Sequence, residues 1–313
     1  MNAPPSAREL AALAAFLRER TRAEILADHP LAPHTTYGIG GPTALWAAPR
    51  REGDLPVILR AAQEAGCPLF VLGRGSNVLV SDRGWPGLTL HVGEGLGRMR
   101  FSGAEVEVEA GCALHGLVVA AAARGLAGLE PLAGIPGGVG GAIRMNAGAF
   151  GREIAELLVA VRGFTAAGAV FEAGGDRLRF GYRSSPGLEG VVIAAARLRL
   201  EAGSPAALRR RVDEILELRA RRQPLDHPSC GSVFKRPPGY YAGALIEEAG
   251  LKGEREGAAQ VSPKHAGFIV NLGGATAADV HRLIRRIETR VFERFGVRLE
   301  REVRLVGAFD DDS

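Results

Sequence analysis

Four short segments of this chain gather the residue types that chemistry needs. Cys230-Gly231-Ser232-Val233-Phe234-Lys235-Arg236-Pro237 sets a thiol, a hydroxyl and two cations in a turn bounded by glycine and proline. Ser232 follows a glycine but lacks the GxSxG elbow, and no His/Asp pair is marked for it. Spacing alone therefore leaves it open between a nucleophile and a simple turn residue. Near the C-terminus Val297 to Val306 alternates, with Val297, Leu299, Val303 and Leu305 on one face and Glu300, Glu302 and Arg304 on the other. A carboxylate and a guanidinium two residues apart on a strand project the same way, roughly 7 Å apart. They could flank a polar substrate or form a solvated charged edge. Phe180-Gly181-Tyr182-Arg183-Ser184-Ser185-Pro186 puts an aromatic beside an arginine, whose planar fork reads carboxylates and phosphates. A surface turn is the plain alternative.

The fourth segment is the glycine-rich run Ala133–Gly151, AGIPGGVGGAIRMNAGAFG, with a companion loop at Leu72-Gly73-Arg74-Gly75-Ser76-Asn77. Each glycine in a periodic element costs about 0.5–1 kcal/mol relative to alanine, so such density needs a purpose. Turns with positive φ, or main-chain N–H groups brought close to an anion such as a pyrophosphate, supply one. Two such loops suggest a large phosphorylated cofactor. Neither matches GxGxxG followed by a helix and a distal acid, nor GxxxxGK[ST], which disfavours a Rossmann fold and a P-loop.

The remaining composition narrows the classes. The chain has 313 residues, 46% hydrophobic and 24% charged, enough for two domains. No apolar run approaches the 18 residues or more of a membrane span, and the amino terminus does not read as a secretory signal, so a cytoplasmic location is expected. A net charge of +4 spread along the chain suits an anionic small molecule better than a nucleic acid. Cys67, Cys112 and Cys230 have no CxxC spacing, and the histidines show no HxxxH pairing. Neither a disulfide framework nor a metal site is expected.

The elements that must position these residues follow from periodicity. Leu10, Leu13, Phe16 and Leu17 have helical spacing, which predicts helix running on toward Ile25-Leu26, then a proline-bounded linker, His29 to Pro33. Helices are predicted at Leu55–Ala65, Leu114–Ala123, Ala206–Arg222 and Ala277–Phe295. Short strands are predicted at Ala44–Ala47, Pro68–Leu72, Val78–Val80, within Gly87–Ala110, and at Val159–Phe164, Leu178–Phe180, Val191–Leu200, Gln260-Val261, Phe268–Val270 and Val297–Val306. The first two-thirds mixes many short strands with few helices, without regular βα alternation.

Taken in order, Thr36-Tyr37-Gly38-Ile39-Gly40-Gly41, Leu72–Asn77, Gly134–Ala142, Asn146–Gly151, Tyr182-Arg183, Gly231–Lys235 and Glu302-Val303-Arg304 resemble the UDP-N-acetylenolpyruvoylglucosamine reductase family, flavoenzymes of bacterial peptidoglycan precursor synthesis. The resemblance spans nearly the whole chain. It implies an α+β protein: an FAD-binding domain of the vanillyl-alcohol oxidase / p-cresol methylhydroxylase type at residues 30–203, with an N-terminal helical segment 1–29 packed on it. A smaller α/β substrate-binding domain, 204–307, and an acidic tail, 308–313, follow. Noncovalent FAD is implied, held by Tyr37, Gly73, Arg74, Gly75, Ser76, Asn77, Val78, Pro136, Gly137, Gly140, Gly141, Asn146, Ala147 and Gly148.

The implied reaction is NADPH-dependent reduction of UDP-N-acetylglucosamine enolpyruvate to UDP-N-acetylmuramate. Ser232 would be the proton donor, Arg183 and Glu302 the stabilisers of the enolate; Tyr182, Lys235, Gln260, Lys264 and Arg304 would orient the anionic substrate. The compact run from Tyr182 to Val191 resembles the class without an extra tyrosine-bearing loop. A monomer is expected, with no nucleic-acid or membrane partner. The competing readings are another FAD-dependent oxidase of the same superfamily and a non-catalytic flavin or UDP-sugar binder.

Overall fold

The computed structural model describes residues 5–309. The chain divides into two compact units, each assembled from three stretches: residues 1–28, 44–74 and 86–219 in the first, residues 29–43, 75–85 and 220–313 in the second.

The first unit holds helices α1 (Ala7–Arg20), α2 (Leu55–Glu64), α3 (Leu114–Ala123) and α4 (Val139–Arg144), and α5 (Pro205–Arg222) as far as Arg219. Its largest sheet has five antiparallel strands in the order Val170–Gly174, Leu158–Thr165, Val191–Arg199, Glu105–Glu109, Met99–Ser102. A second sheet orders Glu24–Pro30, Pro42–Ala48, Trp85–His91 and Leu69–Leu72, the last two running parallel. The strand Val191–Arg199 is buried along most of its length, as expected of the centre of a sheet covered on both faces.

Three expectations fail here for local reasons. The first helix stops at Arg20, because Thr21 takes an extended backbone at the cap and its hydroxyl returns to the Leu17 carbonyl, 2.7 Å. The residues read as more helix and a linker, Glu24 to Pro30, form a strand instead. Leu178–Phe180, read as a strand, ends a 3-10 turn, Gly175–Leu178, with Arg179 at φ +41°. Inside the glycine run, residues 139–144 wind into α4, because the apolar Val139, Ala142 and Ile143 share one buried face.

The second unit holds α6 (Ala242–Glu248), α7 (Ala277–Phe295) and a three-stranded antiparallel sheet, Arg255–Glu256, Ala259–Val261, Ile269–Asn271. α7 opens on a capping box, Thr276 with Asp279, and closes on Gly296 at φ +68°. Val280, Ile284, Ile287 and Val291 give it one apolar stripe at spacings of four and three, packed in a cluster with Tyr37, Leu79, Val233 and Val303. The predicted final strand shrinks to Arg304–Val306, parallel to Val78–Val80; before it, only Arg301 makes a bridge, to Phe234. The reason lies in its neighbour: a turn bounded by Gly231 and Pro237 is too short to pair a longer strand.

The boundary expected at residues 203–204 differs from this division. Leu208, Val212 and Ile215 of α5 share the first unit's apolar cluster with Leu198 and Leu200, whereas Tyr37, Ile39 and Leu79 share the second's. The helical segment at the amino end does pack in the first cluster, through Leu13, Ala14 and Leu17. The acidic residues Asp310 to Asp312 lie outside the described residues. No described helix is long and apolar enough to cross a membrane.

Candidate functional site

In the second unit, the serine turn and the C-terminal segment lie against each other. Gly231, at φ +81°, turns the chain so that residues 232–235 run antiparallel to 300–303. The Glu302 amide donates to the Val233 carbonyl at 2.8 Å and the Lys235 amide to the Glu300 carbonyl at 2.8 Å. This register pairs Val233 with the half-buried Glu302, and the exposed Ser232 precedes Val233 by one position. The two residues that the sequence expected to work together therefore lie on paired backbone segments, offset by one position.

The companion glycine loop is tied to the same place. Asn77 Nδ2 donates to the Glu302 carbonyl at 3.0 Å, the Arg304 amide donates to the Asn77 carbonyl at 3.1 Å, and Val78 pairs with Arg304. Gly75, at φ +62°, lies against the backbone of His34 and Thr35: a Cβ there would stand 2.1 Å from the His34 carbonyl oxygen. Its carbonyl accepts from the Thr36 amide at 3.0 Å. Only glycine fits this position, for both its φ and its neighbours.

Tyr37 is fully buried and its carbonyl accepts from Asn271 Nδ2 at 2.9 Å. Its hydroxyl faces the Cys230 thiol without well-aligned hydrogen-bond geometry. Burial raises both acids: the tyrosine well above its ordinary range, the thiol up to about 12, with the neighbouring Glu302 carboxylate adding to the latter. Cys230 is therefore a neutral, inert thiol two residues from Ser232.

The expected substrate ligands fare unevenly. Lys235 is engaged by Glu300, which the sequence had placed on the polar face with Glu302. Gln260 Nε2 donates to the Gly253 carbonyl at 3.1 Å and Lys264 Nζ to the Ala220 carbonyl at 2.6 Å. Gln260 thus braces the turn at Gly253, and Lys264 the last turn of α5. Arg304 is exposed.

In the first unit, the pair Tyr182-Arg183 forms the tip of a tight hairpin closed by reciprocal bonds between Gly181 and Ser184, each 3.1 Å. Arg183 has φ +52°, stacks its guanidinium 5.0 Å from the Tyr182 ring, and donates to the Gly148 carbonyl at 3.0 Å and the Asn146 carbonyl at 3.5 Å. Asn146 is the hub. Fully buried at φ +41°, it donates through Nδ2 to Glu153 at 2.6 Å and to the Gly181 carbonyl at 3.0 Å, and accepts from the Ala155 amide at 3.3 Å. It thus fastens the Arg183 hairpin to the end of the glycine run, where Ala147 and Gly148 sit.

The start of that run has another partner. Val139 and Gly140 donate to the carbonyls of Cys112 and Ala110 at 2.9 and 2.8 Å, and Leu114 donates to the Gly137 carbonyl at 3.0 Å. Those two amides are spent inside the fold. A Cβ on Gly140 would stand 2.8 Å from the Ala110 Cβ, whereas one on Gly141 or Gly73 would meet nothing within 4 Å. Bare backbone thus faces open space at Gly73 and Gly141, as a cofactor that must approach main chain requires. Arg74, exposed beside Gly73, lies near enough to Cys112 to draw its thiol downward, against a larger rise from burial. The Gly137–Gly141 turn thus borders the 110–114 segment, with Arg74 in electrostatic reach of it, and these residues fit a dinucleotide with an anionic bridge.

Sequence reasoning missed Arg219. It occupies the buried stripe of α5, in line with Leu208, Val212 and Ile215, and is only 9% exposed. The spacing of four, three and four was legible in the sequence; a charged helix hid it.

Residues 223–306 match the family described as UDP-N-acetylenolpyruvoylglucosamine reductase, C-terminal domain, and residues 43–174 match an FAD binding domain. The UDP-N-acetylenolpyruvoylglucosamine reductase of Pediococcus pentosaceus is 44% identical over 286 residues, 91% of this chain and 95% of that one. That of Anaeromyxobacter sp. (strain Fw109-5) is 45% identical over 295 residues, 94% and 92% of the two chains. The crystal structure of UDP-N-acetylenolpyruvylglucosamine reductase from Thermus caldophilus superposes with a TM-score of 0.78 at 40% identity, covering 91% of this chain and 99% of its own.

Proposed function

From the premise that this chain belongs to the UDP-N-acetylenolpyruvoylglucosamine reductase family, we propose how its residues carry the family reaction. The protein is an FAD-dependent oxidoreductase that reduces UDP-N-acetylglucosamine enolpyruvate to UDP-N-acetylmuramate with NADPH, in peptidoglycan precursor synthesis. The bound flavin supplies the two-electron carrier between NADPH and the vinyl group of the sugar. The division of labour we propose assigns FAD to the stretch around residues 43–174 and the sugar to the stretch around 223–306. We take the enzyme to be a cytoplasmic monomer, since both substrates are nucleotides of the cell interior.

The Ser232 hydroxyl delivers a proton to the carbon that bears the carboxylate. Serine is a feeble acid, but the acceptor is enolate-like and strongly basic, so a positioned hydroxyl suffices. Arg183 and Glu302 stabilise the charge that collects on the carboxylate as that carbon becomes electron-rich. Arg183 reaches this task preorganised, since Asn146 and Gly148 fix its hairpin and its fork. Lys235, with Tyr182 and Arg304, orients the anionic sugar; Gln260 and Lys264 assist from positions where they brace the Gly253 turn and the end of α5.

The observation that carries this reading is the antiparallel pairing of residues 232–235 with 300–303, which sets Ser232 one position from the residue opposite Glu302 and is clamped by the Glu302–Val233 and Asn77–Glu302 bonds. Ser232→Ala tests it. The variant should stay yellow and its flavin should be reduced by NADPH at the wild-type rate. Oxidation of that reduced enzyme by the enolpyruvyl sugar should slow by about 10²–10⁴-fold, the range of a general acid. Sugar reduction at an unchanged rate would remove Ser232 from the mechanism.

A further inference from the structure

Arg219 presents a physical problem that its own surroundings do not solve. The side chain is 91% buried, and its Nε finds no hydrogen-bond partner. Among the described residues no carboxylate forms an ion pair with it. The group nearest to a counter-charge is the Phe150 ring, 5.7 Å from the guanidinium carbon. A cation over an aromatic face is worth about 0.5–2 kcal/mol. Removing an ion from water costs several kcal/mol even after relaxation, so the ring leaves most of that cost uncovered. Burial accordingly draws the guanidinium below its ordinary range.

The surroundings also show what the arginine was given room for. Gly134, at φ +72°, lies against its shaft: a Cβ there would stand 2.9 Å from Arg219 Cδ and 2.9 Å from Leu216 Cδ2. The turn that begins at Gly134 leads within three residues to Pro136 and Gly137, and Phe150 closes the same glycine run at its far end. A buried, planar, permanently charged fork is thus packed against the loop assigned to the cofactor.

We propose that Arg219 is the cation held for an anionic group of the bound flavin dinucleotide. This rests on the FAD reading above. Two sources carry such a charge: the diphosphate, always, and the ring system after reduction, because two electrons and one proton leave it with one negative charge. A guanidinium satisfies either through paired N–H donors.

The test compares wild type, Arg219→Gln and Arg219→Lys by three readouts: thermal unfolding of the flavin-free protein, titration of that protein with FAD and with ADP, and the two-electron midpoint potential of the bound flavin. Without flavin, Arg219→Gln should unfold at the wild-type temperature or above, since an uncompensated buried charge has been removed. If the diphosphate is the partner, both FAD and ADP should bind at least tenfold more weakly. If the reduced ring is the partner, affinity for oxidised FAD should hold within twofold. The reduced form should then bind about tenfold more weakly, a potential lower by about 30 mV. Lysine should recover part of either effect. Arg219→Gln with a lower unfolding temperature but unchanged affinities and potential would overturn the proposal and leave a packing role. A wild-type protein that takes up no flavin would instead overturn the cofactor reading, and this inference with it.

Discussion

Two adjacent glycines of α4 should respond in opposite ways to the same methyl group. On Gly140 a Cβ would stand 2.8 Å from the Ala110 Cβ and 3.2 Å from the Ala110 carbonyl oxygen. Both are closer than a normal contact, and neither neighbour is the end of a flexible chain. The helix must therefore lift from the 110–112 segment, stretching the bonds that Val139 and Gly140 donate to Cys112 and Ala110. Overpacking costs about 1–3 kcal/mol, and two weakened hydrogen bonds add about 1–2. The gain from replacing glycine in a helix is about 0.5–1. Gly140→Ala should thus destabilise the flavin-free protein by about 2–3 kcal/mol. On Gly141 the methyl meets nothing within 4 Å, so only the helix gain remains and the flavin-free protein should be as stable or slightly more so. If the cofactor comes against this bare backbone, the same methyl should weaken FAD binding by about tenfold or more. Urea unfolding of the flavin-free variants and fluorescence titration with FAD measure both. Gly141→Ala with wild-type affinity would refute placing the cofactor here. Gly140→Ala with wild-type stability would refute the packing argument.

The buried thiol makes a prediction in pH. Cys230 titrates near 9 when unfolded and is pushed up to about 12 in the fold. Its contribution is therefore complete below about pH 9 and is lost as pH rises from there toward 12. Wild-type stability relative to Cys230→Ala should fall by about 1.4 kcal/mol between pH 8 and pH 10; parallel urea curves at the two pH values would count against it. Asn146→Ala leaves the Gly181 carbonyl, the Glu153 carboxylate and the Ala155 amide short of a partner, and places alanine at φ +41°. It should cost about 2–4 kcal/mol and lower kcat for the sugar half-reaction more than the rate of flavin reduction by NADPH. An equal effect on both half-reactions would show that the Arg183 hairpin does not depend on this anchor.

What could be read from the sequence depended on whether one element answered to one pattern. α7 was legible end to end, because a capping residue, a single apolar stripe and a terminal glycine all agree. α3 and the strand Glu105–Glu109 were legible from one pattern each, an apolar run of helical length and a strict alternation. The first strand was not: Ile25-Leu26 continue a helical spacing, and only the local cap at Thr21, bonded back to Leu17, ends it. α4 was hidden because glycines weaken helix propensity, which the packing of Val139 and Ile143 overrides. At the site, residue types pointed to Ser232 and Glu302, and the two segments that carry them pair antiparallel. The occupations of Lys264 and Gln260 were beyond reach, since their acceptors, Ala220 and Gly253, are main-chain carbonyls that carry no sequence signal. Arg219 lay in plain view, its apolar spacing masked by the many charged residues around it.

The parallel pairing of Val78–Val80 with Arg304–Val306 has a consequence for biosynthesis. The flank of the companion glycine loop is made long before its neighbour and acquires it only after residues 304–306 have left the ribosome. Until then Asn77 has neither the Glu302 carbonyl to grip nor the Arg304 amide to receive. Completion of this loop waits on that distant segment, and a chain cut short before residue 304 would lose it even with every glycine in place.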